Sequence, residues 1–88
     1  MLPEETRDDL IRRLRKIEGQ AQGIQRMLLE GRDCREVLNQ LASVRAATQR
    51  VSAELVRQYA MSCLTDPACM NSEQNLHEVI DLILQTPL

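Results

Sequence analysis

The stretch that decides the fold runs from Asp33 to Thr65 and reads DCREVLNQLASVRAATQRVSAELVRQYAMSCLT. Apolar residues recur in it every three or four positions, which is the spacing of one face of an α-helix. No Gly or Pro interrupts the pattern, and Asp33 followed by Glu36 fits a capping box. The stretch predicts one helix of roughly thirty residues, about 45 Å long. Its apolar face comprises Val37, Leu38, Leu41, Val44, Ala47, Val51, Leu55 and Tyr59.

A second amphipathic helix is predicted before this stretch, from Pro3 or Thr6 to about Glu30. Gly31 follows its last turn and fits the position directly after a helix C-terminus. A short third helix is predicted after a turn at Pro67, with Ser72 as its cap and its end near Pro87. The apolar faces of these two helices comprise Leu10, Leu14, Ile17, Ala21, Ile24, Met27 and Leu28, and Leu76, Val79, Ile80, Ile83 and Leu84.

The composition favours an all-α fold that needs more than one chain. The 88 residues include one aromatic residue, three Gly and three Pro, so the core must be aliphatic and the elements few and long. Gly19 and Gly23 share one helical face, where we expect another backbone to approach closely. Two long helices and a short one cannot enclose a core alone. We therefore predict a single domain over residues 1–88, with three helices per chain and two chains paired in an antiparallel four-helix bundle.

The charge distribution is compatible with nucleic-acid binding despite a net charge of −2. The segment from Arg12 to Arg57 carries ten basic and five acidic residues, and the acidic excess lies at the two ends. A basic middle can present a positive face to phosphates. The N-terminus lacks the pattern of a secretory signal, and no apolar run approaches the ~18 residues of a membrane span. With three cysteines in no disulfide-scaffold spacing, we expect a soluble, cytoplasmic protein without a membrane role.

Two cysteines stand at opposite ends of the long predicted helix. Cys34 falls at its first position, where the helix dipole and the neighbouring Arg32 and Arg35 favour the thiolate. Cys63 follows 29 residues later, about 43 Å away on a straight helix, whereas a disulfide needs Cα atoms within about 7 Å. Antiparallel pairing of two such helices brings Cys34 of one chain beside Cys63 of the other. We predict that Cys34 is the attacking thiol and Cys63 the resolving thiol.

The other metal-binding or nucleophilic side chains give weaker signals. Cys69 follows Pro67 in a predicted loop with no evident partner, and we interpret it as an incidental thiol rather than a third ligand or second resolving thiol. His77 is the single histidine, and we interpret it as a surface residue. No Cys-x-x-Cys pair, His-x-x-x-His pair, phosphate loop or hydrolytic triad is visible, so the sequence does not indicate an enzyme.

The segment from Arg12 to Ala47 reads RRLRKIEGQAQGIQRMLLEGRDCREVLNQLASVRAA. Its RxxxIEGQxxGIxRM pattern, followed by cysteines at both ends of the next helix, resembles the copper-sensing operon repressor family (CsoR/RcnR-type). The resemblance covers nearly the whole chain. It implies an all-helical homotetramer, a dimer of dimers, that binds operator DNA and releases it when the sensing site is filled. The DNA contacts implied by position are Arg13, Arg15, Lys16, Arg45 and Arg50.

One departure from the family pattern bears on the effector. Copper-sensing members resemble this sequence but carry a His-x-x-x-Cys motif as the second part of the sensing site. Here Tyr59 stands in the place of that histidine, four residues before Cys63. A phenol is a poor ligand for the soft Cu(I) ion, and nickel or cobalt sensing needs more imidazole still. Pro3 does not match the N-terminal proline of formaldehyde sensors. Two cysteines without the histidine resemble the persulfide-sensing branch, in which di-, tri- or tetrasulfide links join the subunits.

The sequence thus predicts a repressor that is released when a persulfide or polysulfide, as reactive sulfur effector, crosslinks Cys34 to Cys63 of a neighbouring subunit. No cofactor is predicted. One alternative is a Cu(I)-sensing repressor using the same two cysteines, because Glu78 matches an acid that supports the copper ligands in copper sensors. Tyr59 and Glu78 are the residues expected to surround the thiols. An alternative of another class is a thiol-based sulfur carrier without a DNA role.

Overall fold

The computed structural model describes residues 2–85, and within that range the chain forms four α-helices and no strand. They are α1 (Glu4–Leu29), α2 (Cys34–Leu64), α3 (Pro67–Met70) and α4 (Glu73–Gln85). The all-α prediction is confirmed, and the three predicted helices correspond to α1, α2 and α4. The single turn of α3 replaces the loop expected around Cys69.

The α1–α2 connection is short because α1 ends in a Schellman motif. Gly31 has a φ of +70°, the left-handed conformation that glycine adopts without a Cβ penalty. The amides of Gly31 and Arg32 donate to the carbonyls of Leu28 and Met27 at 3.2 and 3.0 Å. This confirms the predicted role of Gly31, and so short a connection makes α1 and α2 antiparallel neighbours.

The two long helices begin next to the expected residues, but with different capping contacts. Pro3 directly precedes α1, which excludes the alternative start at Thr6. Asp33 occupies the N-cap of α2 without a side-chain hydrogen bond, so the predicted capping box is wrong. Glu36 instead accepts a hydrogen bond from Nε of Arg32 at 2.9 Å. A guanidinium within reach holds the carboxylate more strongly than the N-cap amide would.

In the C-terminal part of the chain, the N-termini of both α3 and α4 are capped by side chains. Asp66 caps α3 by accepting a hydrogen bond from the amide of Ala68 at 3.0 Å, and Pro67 is the first residue of that helix. Ser72 accepts from the amide of Asn75 at 3.3 Å, which confirms its predicted capping role. Helix α4 then packs on the C-terminal part of α2. Its predicted end near Pro87 lies outside the described residues.

The described chain is elongated and thinly packed. It measures 55 × 26 × 16 Å with a radius of gyration of 17.2 Å, against about 12 Å for a compact domain of this length. Large apolar side chains on all three long helices remain exposed, as expected for helices that cannot enclose a core within one chain. No helix within residues 2–85 is long and apolar enough to cross a membrane. The buried hydrophobic side chains in this range are Leu10, Ile24, Val37, Val51, Cys63 and Val79.

Gly19 and Gly23 have no close neighbour within the described chain. A Cβ built on either residue would meet nothing within 4 Å. The expected close approach of another backbone is therefore not found between the helices of one chain. Approach by a second chain stays a prediction.

Candidate sensing site and nucleic-acid interface

Cys34 is an exposed free thiol at the first residue of α2, as predicted. The arginine before it is already paired. Arg32 bonds Glu36 at 2.9 Å and lies 3.6 Å from Glu30, and the hydrogen bond to Glu36 raises the pKa of its guanidinium. Two carboxylates therefore offset the positive charge of Arg32 beside the thiol. The helix N-terminus and Arg35 remain as positive groups next to Cys34 in the sequence.

Cys63 is bonded to Cys69, which corrects the interpretation of Cys69 as a thiol without a partner. Cys63 is the penultimate residue of α2, and Cys69 is the third residue of α3. The turn between them brings their Cα atoms to 5.1 Å, inside the range that a disulfide requires. This pair was not predicted, because the sequence pattern indicated a loop around Cys69. The N-cap residue Asp66 and the following Pro67 were the signals for an additional helical turn.

Cys34 and Cys63 lie on nearly the same face of α2. The 29 residues between them correspond to eight helical turns plus about 20° at 100° per residue. Leu38 and Leu41 follow Cys34 on that face and are 63% and 46% exposed. At the other end of this face, Cys63 is buried in the single chain. A cysteine at each end of one helical face, with exposed leucines near Cys34, is the placement that antiparallel pairing of two α2 helices requires.

The residues expected to surround the thiols show no polar contact with them. Tyr59 is half-buried one turn before Cys63, and Glu78 is exposed on α4. Within residues 2–85, no hydrogen bond or ion pair joins Glu78 to Tyr59 or Cys63. His77 is exposed, as predicted.

The described residues of one chain do not fit a metal ion at this site. Between Leu2 and Gln85 there is no group of three His, Cys, Asp or Glu side chains that could hold one. The sulfur of Cys63 is bonded to Cys69, so it offers no thiolate, the ligand that Cu(I) prefers. A thiolate pair therefore needs Cys34 of one chain together with reduced Cys63 of another.

A basic groove of about 480 Å³ lies between α1 and α2 and unites three of the five predicted DNA contacts. Arg13 and Lys16 line it from α1, and Arg50 lines it from α2. Arg12 lines it too and was not among the predicted contacts; its position four residues before Lys16, on the same face of α1, is the sequence signal for it. Oε1 of Gln20 is buried here without a hydrogen-bond partner. The groove is a surface on which phosphate oxygens can be bound.

The other two predicted DNA contacts lie elsewhere. Arg15 is exposed on α1 and does not line the groove. Arg45 lines a separate depression with Leu38 and Leu41. Five residues along α2 rotate a side chain by about 140°, so Arg45 and Arg50 point to different sides of the helix.

Asp9 limits the charge of the groove. It accepts hydrogen bonds from Arg12 and from Nε of Arg13, the latter at 2.9 Å. The Arg12 guanidinium, aided by Arg13, holds the pKa of the Asp9 carboxyl below its usual range. Both arginines are therefore partly neutralised in the isolated chain.

A second groove connects the basic groove with the end of α2 that carries Cys63. It has a volume of about 660 Å³ and is mainly apolar, with Arg13 and Arg50 at its border with the basic groove. Met61 of α2 and Ile83 of α4 line its other end. One continuous groove thus joins the C-terminal part of α2 to Arg13 and Arg50.

Residues 6–85 match the protein family described as metal-sensitive transcriptional repressor. The copper-sensing transcriptional repressor CsoR of Bacillus subtilis is 35% identical over 77 residues, or 86% of this chain and 76% of that protein. The copper-sensing transcriptional repressor RicR of Mycobacterium tuberculosis is 37% identical over 59 residues, or 67% of this chain and 62% of that protein. The chain belongs to the metal-sensitive transcriptional repressor family. This confirms the resemblance to CsoR/RcnR-type repressors, a family of transcriptional repressors.

Solved structures of the family share the fold. The copper-sensing repressor CsoR with Cu(I) from Geobacillus thermodenitrificans superposes with a TM-score of 0.82 at 34% identity, over 97% of this chain and 92% of that one. The nickel-responsive transcriptional regulator InrS superposes with a TM-score of 0.77 at 36% identity, over 91% of both chains. The two similar structures are thus named for two different metals, and the fold alone does not select an effector.

Proposed function

We propose that this family member is a repressor whose operator complex is released when a persulfide or polysulfide links Cys34 of one chain to Cys63 of another. The observation that carries the proposal is the thiol pair itself. Two cysteines lie at the two ends of one face of α2, Cys34 exposed and Cys63 buried in the single chain, and Tyr59 rather than a histidine lies one turn before Cys63. Such a pair can form a sulfur–sulfur link, whereas it supplies only two of the ligands expected for a metal sensor.

The sensing chemistry requires Cys63 in its reduced form. The Cys34 thiolate attacks the outer sulfur of a persulfide RSSH, which gives a Cys34 persulfide and releases RSH. The thiolate of Cys63 from the second chain then attacks Sγ of Cys34 and expels hydrosulfide. The two cysteines lose two electrons in total, and the persulfide is reduced to RSH and hydrogen sulfide.

The proposed coupling to DNA runs along α2. A link between two chains fixes the C-terminal end of α2, which borders the groove that reaches Arg13 and Arg50. Reorienting these side chains removes phosphate contacts, and affinity for DNA falls with each lost contact. The homotetramer, operator DNA as partner and action in the cytoplasm belong to this same proposal.

Peptide mapping after polysulfide treatment tests the crosslink. Trypsin cuts after Arg32, Arg35 and Arg57, and residues 58–88 contain no Lys or Arg. We expect peptide 33–35 joined to peptide 58–88 in the wild type and in Cys69→Ser but not in Cys63→Ser, and a crosslinked dimer on a non-reducing gel that Cys34→Ser abolishes. Absence of the joined peptide, with operator affinity unaltered by polysulfide, would contradict the proposal.

A Cu(I)-sensing repressor that uses Cys34 and reduced Cys63 is the second candidate. It is favoured by the relatives, since two curated ones and one solved structure are named copper-sensing. Titration with Cu(I) in the presence of a competing chelator tests it. Binding of one Cu(I) per chain that releases operator DNA would establish it, and binding that leaves the DNA complex intact would exclude it. A sulfur carrier without a DNA role would turn over persulfide and bind no operator.

A further inference from the structure

The Cys63–Cys69 disulfide is formed by the chain alone, without a second subunit. The two Cα atoms lie 5.1 Å apart, and six residues separate the cysteines in sequence. Asp66 caps α3, and Pro67 at its first position fixes the backbone angle of the turn. The local fold thus holds Cys69 against the same sulfur that the proposed sensing reaction needs.

We propose that Cys69 is a third redox-active thiol, and that its disulfide with Cys63 is a second oxidised state in which the protein no longer responds to its effector. This inference deepens the proposed function, because the response to persulfide that would be lost is the proposed function itself. The Cys63–Cys69 disulfide does not depend on that proposal. One sulfur enters one disulfide, so the bond to Cys69 and the link to Cys34 of another chain exclude each other. In this second state Cys34 remains free but has no partner.

The in-chain bond competes well with the link between chains. A partner six residues away is present at a high effective concentration that does not depend on protein concentration or assembly. Cys63 is 4% exposed, whereas Cys69 is only half-buried. A dissolved oxidant therefore reaches Cys69 more readily than Cys63. Disulfides in reducing compartments are usually transient and redox-sensing, which fits such a role.

The oxidant is a low-molecular-weight disulfide, written RSSR. The Cys69 thiolate attacks one of its sulfurs, forms the mixed disulfide Cys69–SR and releases RS⁻. The Cys63 thiolate then attacks Sγ of Cys69 and expels the second RS⁻. The pair loses two electrons, RSSR gains them, and the two thiol protons end on two molecules of RSH. A thiol reductant reverses both steps.

The disulfide is tested first, in a variant that cannot form the link between chains. Full-length Cys34→Ser is reduced, treated with oxidised glutathione, alkylated and digested with trypsin. Both remaining cysteines lie in peptide 58–88. We therefore expect this peptide to carry no alkyl group and to be two hydrogens lighter than its reduced form. The protein should run as a monomer on a denaturing, non-reducing gel. Two alkyl groups on this peptide, or a glutathione adduct that persists on Cys69, would overturn the proposal.

The silencing is tested second, in the wild type and Cys69→Ser. Treatment with oxidised glutathione before polysulfide should abolish the crosslinked dimer of the wild type and leave its operator complex intact. Cys69→Ser should still crosslink and release DNA after the same treatment. Equal crosslinking of both proteins would overturn the proposal. If untreated Cys69→Ser also fails to crosslink, the proposed function is wrong, and the peptide measurement in Cys34→Ser still decides whether the disulfide forms.

Discussion

At the scale of single residues, Tyr59 separates the two candidate effectors. It lies one turn before Cys63 on α2, so a histidine in its place would bring an imidazole beside that thiol. We predict that Tyr59→His raises Cu(I) affinity about tenfold, or ~1.4 kcal/mol, and confers release of operator DNA by Cu(I). Competition with a Cu(I) chelator measures the affinity, and Tyr59→Phe is the matched control. Equal Cu(I) affinities of Tyr59→His and Tyr59→Phe would contradict the role given to this position.

Asp9 gives a pH-dependent prediction. Its pKa is lowered in the folded chain, chiefly by the Arg12 hydrogen bond, so its stabilising effect is present above its ordinary value and is lost as the pH falls. Asp9→Asn should therefore unfold at lower urea than the wild type at pH 7, and the difference should narrow as the pH falls below about 4. Asp8→Asn, the same charge change one residue earlier, is the control. A difference in urea midpoint that does not vary with pH would contradict a stabilising role of the Asp9 ion pairs.

Residue-level prediction from sequence succeeded where one position decides the outcome. The position of Gly31 directly after the end of α1 was predicted correctly, because a chain that reverses direction there needs a residue in the left-handed conformation. Cys34 was placed correctly at the start of α2 because Asp33 and the apolar period both mark that boundary. The Cys63–Cys69 bond was missed because it depends on how six residues turn in space, which periodicity does not encode.

At the scale of helices, the basic groove predicts which arginines bind DNA. Arg50 lines the groove with Arg13 and Lys16, whereas Arg45 lies about 140° away around α2. We predict that Arg50→Ala weakens operator binding and lowers the slope of log affinity against log salt by about one unit. Arg45→Ala, which removes the same charge from the other side of the helix, should change the slope less. The reverse order would move the DNA-binding face to the opposite side of α2.

The helices themselves were predictable because their apolar periods are long. α1, α2 and α4 each carry at least three turns of consistent spacing, and such a pattern survives local exceptions. α3 has only four residues, too few for any period, and its start rests on one Asp66 hydrogen bond. The separation of Arg45 from Arg50 was readable from their spacing, but the resemblance to a family grouped them together.

At the scale of the whole molecule, the exposed leucines near Cys34 on α2 predict an assembly. Leu38 and Leu41 lie on the face that carries Cys34 and are largely exposed in one chain. We predict that the reduced wild type sediments at about four times its chain mass of 10.1 kDa and that Leu41→Glu lowers this mass. Leu29→Glu changes a leucine that is 89% exposed at the end of α1 and should leave the assembly intact. A wild type that sediments as a monomer would contradict the assembly.

The link between chains is the central claim, and one measurement tests it most directly. Reduced protein is bound to a labelled fragment of its operator, and fluorescence anisotropy is followed during addition of inorganic polysulfide and, separately, of Cu(I). We predict that polysulfide releases the DNA, that a thiol reductant restores the complex, and that Cys34→Ser stays bound throughout. Release by Cu(I) alone, with no response to polysulfide, would contradict the claim and show that two thiols without the histidine suffice for copper sensing.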